Sequence, residues 1–82
     1  MDKQVIYESM VAYLKENGIR LDKEYFSGII KAVGKVVLDG NTVNYACGIC
    51  SQLYHSDDTD DGHLDEKFMR KHVRAIVERI GN

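Results

Sequence analysis

Two cysteines, three histidines, an acidic run and a basic arc are the groups in this 82-residue chain that could do chemistry. Cys47-Gly48-Ile49-Cys50 is a CxxC. On a helix, residues three apart share a face, so the two sulfurs could hold one metal or form a redox pair. A redox CxxC opens a helix after a strand, and no strand precedes this one. A zinc site needs two further ligands. His63 follows Cys50 at finger-like spacing, with His55 as a substitute, but His72 lies too far along for the usual second histidine. The alternative is two small apolar residues on a packed face, because a free cysteine behaves as a small hydrophobe.

The segment from Asp57 to Asp65 resembles part of a calcium loop. With Gly62 at the turn, Asp57, Thr59, Asp61 and Asp65 occupy ligand positions and Leu64 the apolar one. The last position, where a bidentate glutamate belongs, is Phe68, so any calcium site here is weak. The same segment also reads as a solvated acidic loop leading into a helix. The three histidines have no serine or cysteine nucleophile at a recognisable spacing. His72 falls toward an apolar helix face and reads as a partly buried core residue, with a pH response as the functional alternative. No phosphate-binding glycine loop, paired catalytic carboxylates or cofactor motif occurs. The expectation is a protein that is not an enzyme and carries no cofactor.

The basic arc is the strongest functional pattern. In residues 64–80, Phe68, Met69, Val73, Ile76, Val77 and Ile80 share one side of a helix, while Lys67, Arg70, Lys71 and Arg74 cluster on the other. Four cations in a narrow arc could meet several phosphates of duplex DNA, or an acidic protein surface. Net charge is −2 and the pI about 5.8, whereas dedicated nucleic-acid binders carry a clearly basic domain. Glu78 falls on the same face and dilutes it. A protein partner is therefore the favoured reading, with DNA second and an ordinary solvated face as the plain alternative. Tyr45 and Tyr54 are candidate contact residues for such a partner.

Four helical segments must position these groups. The first covers about 3–16, with Ile6, Met10, Tyr13 and Leu14 at helical spacing and Asn17-Gly18 as its stop. The second covers about 23–38, with Asp22 as N-cap and Leu21 and Phe26 placed for a hydrophobic staple. Its apolar face is Phe26, Ile29, Ile30, Val33, Val36 and Val37. Asp39-Gly40-Asn41 then turns the chain. The third covers about 43–54, capped by Thr42, with Val43, Ala46, Ile49, Cys50 and Leu53 as the buried stripe. Gly48 costs this helix about 1 kcal/mol relative to alanine. The fourth is the amphipathic helix, with Asp65 and Glu66 at the positive end of its dipole.

The length suits one small domain over residues 1–82, and 44% hydrophobic residues allow a core. So small a chain buries proportionally little surface, which favours a two-fold dimer as a way to enlarge the core. No apolar run is long enough to span a membrane, and residues 1–10 lack the apolar stretch of a signal peptide. Two cysteines make no disulfide framework. A cytoplasmic setting follows as the expectation.

The order of these features resembles the YmgB/AriR biofilm-development family, the small two-component-system connector proteins. The similarity runs from Tyr13 to about Val77. Tyr13-Leu14-Lys15 with Gly18, Leu21 and Glu24 is similar to the family's opening, given a one-residue adjustment near 19–22. Ala32-Val33, the run from Leu38 to Asn44, and Met69-Arg70-Lys71 with Val73 continue it. The acidic loop and the CxxC depart from the family pattern. The resemblance implies an all-α homodimer, intertwined or face-packed, of three or four helices per chain. It implies a non-enzymatic regulator of biofilm formation and acid resistance that works through signalling partners and DNA binding. Arg70 and Lys71 are the arc residues within the matched motif; Lys67 and Arg74 come from helix geometry.

Overall fold

Side-chain oxygens fix where the helices of this chain begin. The computed structural model describes residues 2–53 and 66–81. Its elements are Lys3–Glu16 (α1), Lys23–Val37 (α2), Val43–Leu53 (α3) and Glu66–Gly81 (α4), an all-α domain of four helices with no strand among the described residues. Asp2 Oδ1 accepts from the Val5 N–H at 3.0 Å, Asp22 Oδ1 from Tyr25 at 3.1 Å, and Thr42 Oγ1 from Tyr45 at 3.1 Å. Each satisfies a first-turn donor that the helix leaves without a partner, worth about 1 kcal/mol per cap. The caps at Asp22 and Thr42 are those expected from sequence; the one at Asp2 is an addition.

Two glycines fix where α1 and α2 end. Gly18 takes φ +62°, and the chain folds back so that Ile19 N–H donates to Leu14 O at 2.9 Å and Gly18 N–H to Lys15 O at 3.3 Å. This is the Schellman pattern, with half-buried Leu14 and Ile19 as its apolar partners. Gly40 takes φ +77°, with Gly40 N–H donating to Val36 O and Asn41 N–H to Lys35 O, both at 3.1 Å. Because the turn draws its bonds from Lys35 and Val36, α2 stops at Val37. Leu38 becomes its cap and lies exposed, one residue short of what the apolar periodicity suggests.

α2 and α4 form the centre of the fold. Each packs against all three other helices, while α1 and α3 do not touch. From α1, Ile6 and Met10 enter the core, and from α2, Ile29, Ala32 and Val33. Ala46, Cys47 and Cys50 of α3 and Met69, Val73 and Ile76 of α4 complete it. The buried side of α3 is rotated from the expected stripe. Cys47 and Ser51 are buried along with Ala46 and Cys50, while Val43 and Ile49 are only half-buried. The Ser51 hydroxyl is accommodated by donating to Gly48 O at 3.2 Å. Phe68, expected on the buried face of α4, sits at its margin, where its ring packs edge-on against Tyr25 and His72. No helix among the described residues is long and apolar enough to cross a membrane.

Candidate binding surface

The buried stripe of α4 dictates what its opposite side presents. With Met69, Val73 and Ile76 fully enclosed, Lys67, Lys71 and Arg74 are exposed and Arg70 is partly so. All four line one shallow depression of about 440 Å³, together with Ala75 and Glu78. The four cations predicted from sequence are thus brought together, and the diluting carboxylate is among them. Arg70 is partly neutralised: its Nη1 donates to Glu66 Oε2 at 2.7 Å, one turn earlier. Such an exposed pair contributes a few tenths of a kcal/mol and mainly fixes the guanidinium's direction. Among the described residues no ion pair engages Lys71 or Arg74.

Gly48 explains how Glu66 comes to its place. A Cβ at residue 48 would lie 3.2 Å from Glu66 Oε1, tighter than ordinary contact. The glycine that weakens α3 therefore leaves room for the carboxylate that orients Arg70. One face of α3 thereby supports the α4 surface.

Two side-chain ties join α4 to α1, one part-buried and one at the surface. The Tyr13 hydroxyl and His72 Nδ1 are 2.8 Å apart, and the two rings meet edge-on at 5.7 Å. His72 is only 4% exposed, and burial, followed by the charge of Lys71, lowers its pKa from 6.5. Burial also raises the Tyr13 phenol. Farther along, Arg79 grips Glu16 with two bonds, Nη1 to Oε1 at 2.9 Å and Nη2 to Oε2 at 2.5 Å. The hydrogen bond from Arg79 lowers the Glu16 carboxyl below its usual range. His72 is the core residue expected from sequence, but its partner was not foreseen. Each side chain has a polar atom on an apolar face, which demands a partner without naming it.

The CxxC is enclosed. Cys47 and Cys50 are free thiols with no exposed surface. Burial, and then the neighbouring Cys50, pushes the Cys47 thiol up to about 11, and burial raises Cys50 as well. Both are therefore protonated at neutral pH, whereas the reactive and metal-binding form is the thiolate. Among the described residues, no group of three or more histidine, cysteine or acidic side chains is placed to hold a metal. His55, His63 and the Asp57–Asp65 segment, invoked for zinc and calcium, lie outside the described residues, as does Tyr54. A packing role for the cysteines predicts that a thiol-specific disulfide reagent labels neither at pH 7.5 in the native protein. Both should react within minutes in 6 M guanidinium, at least about 100-fold faster, because labelling then no longer waits for rare opening. Native labelling at the denatured rate would show that the thiols are accessible.

No protein-family profile, no curated protein and no solved structure matches this chain.

Proposed function

We propose that this chain is a small non-enzymatic regulatory domain of the biofilm-development connector type that it resembles. It acts in the cytoplasm by pressing the outer face of α4 against an acidic surface of a signalling protein. The observation that carries this reading is the convergence of Lys67, Arg70, Lys71 and Arg74 on one depression, on a helix whose other side is locked in the core. The presence of Glu78 in the depression and of Glu66 on Arg70 makes the surface mixed in sign. A protein surface carrying both signs complements such a patch better than a uniform row of phosphates, and the net charge of −2 points the same way. Duplex DNA is the second candidate, favoured by the cations alone. A homodimer completes the proposal. Support for it comes from Val5, Tyr7 and Val11 of α1, which are 39–49% exposed. Association of two copies would cover such apolar surface.

Calorimetric titration with poly-L-glutamate and with a short DNA duplex, at 50 and 200 mM NaCl, tests the assignment. The wild type is expected to bind poly-L-glutamate more tightly than DNA and to lose affinity with salt. Lys71→Ala/Arg74→Ala should weaken binding about tenfold or more with an unchanged melting temperature, since substitutions at such exposed positions stay within about 0.5 kcal/mol in stability. Tighter binding to DNA, with a salt slope that falls by about two in the double variant, would transfer the function to nucleic acid. Indifference to both polyanions would overturn the use of this face for anionic partners.

A further inference from the structure

A second hollow, larger than the depression on α4, lies between α1 and α2. Lys3 and Ile6 of α1 face Ile30, Lys31, Gly34, Lys35 and Leu38 of α2 across a cavity of about 540 Å³, with Asp39 at one end. Small-molecule sites typically occupy roughly 300–1,000 Å³, with mostly apolar walls and a few charged groups. Its walls follow this pattern. Ile6, Ile30, Gly34 and Leu38 supply the apolar part, and Leu38 is 42% exposed, unusually open for a leucine beside a core. Three lysines stand along the same hollow, two of them one helical turn apart on α2. Lysine stems line apolar surface with their methylenes while presenting a charged end.

Gly34 is the second observation. It lies inside α2, where glycine disfavours helix relative to alanine. The fold does not require it: φ is not positive there, and an added Cβ would meet only Leu38 Cδ1, at 4.0 Å. This contrasts with Gly48, which a neighbouring helix crowds. What the missing side chain at 34 does is keep the hollow open. The hollow therefore combines an apolar trough, a widening glycine and lysine side chains along its length, with Asp39 at one end.

From this arrangement we propose that the α1–α2 groove binds a small anionic amphiphile, a single alkyl chain ending in a carboxylate. The chain lies along Ile6, Ile30, Gly34 and Leu38, and the head group is met by Lys3 and Lys35. The short stretch of α2 involved, Ile30 to Leu38, is about 12 Å at 1.5 Å per residue, which matches one alkyl chain. The site shares no residue with the α4 surface, so its occupancy and the binding of an acidic partner are separate properties.

Decanoate, used below its micelle concentration, is the probe. Titration followed by heteronuclear NMR is expected to show saturable one-to-one binding, with shifts centred on Ile6, Ile30, Gly34 and Leu38. Decanol, with the same chain and no charge, should bind at least tenfold more weakly. Lys3→Gln/Lys35→Gln should bring decanoate down to the level of decanol. Gly34→Leu should fill the groove and weaken decanoate at least tenfold, while its melting temperature stays at or above that of the wild type. Equal affinity for decanol and decanoate, or full binding by Gly34→Leu, would overturn the proposal. A concentration-dependent dimer that Gly34→Leu disrupts, in a protein that takes up no decanoate, would also overturn it by assigning the groove to a second copy.

Discussion

Ile29→Ala is expected to lower the melting temperature by on the order of 10–30 °C. Ile29 has no exposed surface and lies on α2, which touches every other helix. Removing a buried isoleucine down to Cβ typically costs 2–5 kcal/mol, combining lost transfer energy with the cavity left behind. In a domain of this size one kcal/mol moves the midpoint by roughly 4–8 °C. The whole stability of such a domain is on the order of 4–12 kcal/mol, so one side chain accounts for a large share of it. Lys23→Ala, at an exposed position on the same helix, is the control and should stay within about 0.5 kcal/mol. Circular-dichroism melts of the two variants decide the matter. A loss below about 1 kcal/mol at Ile29 would mean that α2 is not the centre of the core.

The Tyr13–His72 pair gives the second large effect. Tyr13→Phe removes only an oxygen, but it leaves His72 Nδ1 without its partner at 4% exposure. A buried polar atom stripped of its hydrogen bond costs about 1–3 kcal/mol. Replacing both partners with apolar groups avoids that penalty. Tyr13→Phe/His72→Leu should therefore recover most of what Tyr13→Phe loses, a sign that simple loss of packing would not produce. The same histidine makes stability depend on pH. Its folded pKa is below the unfolded value of about 6.5, so the unfolded chain takes up the proton first. The contribution is complete above pH 6.5 and is lost as pH falls through the folded pKa. Burial of the ring sets this direction first, and the groups around it add to it. Lys71 on α4 opposes a second positive charge, α1 offers the neutral Tyr13, and Tyr25 of α2 packs edge-on against the adjoining Phe68. The Glu16 carboxyl, held low by Arg79, adds a separate decline in more acidic solution, below pH 4.5. Melting curves of the wild type from pH 7.5 to 5 should fall, and those of His72→Leu should stay nearly flat. A wild-type profile as flat as that of the variant would show that His72 titrates normally.

Local chemistry explains why so much of this fold could be read from the chain. Asp22 and Thr42 act through atoms three residues away, and Asn17-Gly18 through the conformation of one residue. Such features require no knowledge of the rest of the molecule. The arc of Lys67, Arg70, Lys71 and Arg74 was likewise legible because helix periodicity alone brings those side chains to one side. What periodicity does not contain is the identity of the neighbour. Tyr13 and His72 are 59 residues apart, and Glu16 and Arg79 are 63 apart. Gly48 looks like a flaw in α3 until Glu66 is placed beside it. The groove between α1 and α2 escaped for the same reason, since it belongs to two helices and to neither sequence segment alone. The rotation of α3 toward Cys47 and Ser51 follows from its packing between α2 and α4, with the serine hydroxyl satisfied within its own helix.

The central position of α4 has a consequence for how the domain is made. α4 is the last of the four helices to be synthesised, yet it touches all the others, and α1 and α3 have no contact that could substitute for it. A nascent chain carrying only α1 to α3 would hold Met10, Ile29, Val33 and Cys50 without the Met69, Val73 and Ile76 that complete their enclosure. Helices form locally and quickly, but their apolar faces then wait in water for the rest of the chain. Closure of the core therefore waits for the fourth helix. Until then the apolar faces of α1 to α3 are open to association with other apolar surfaces.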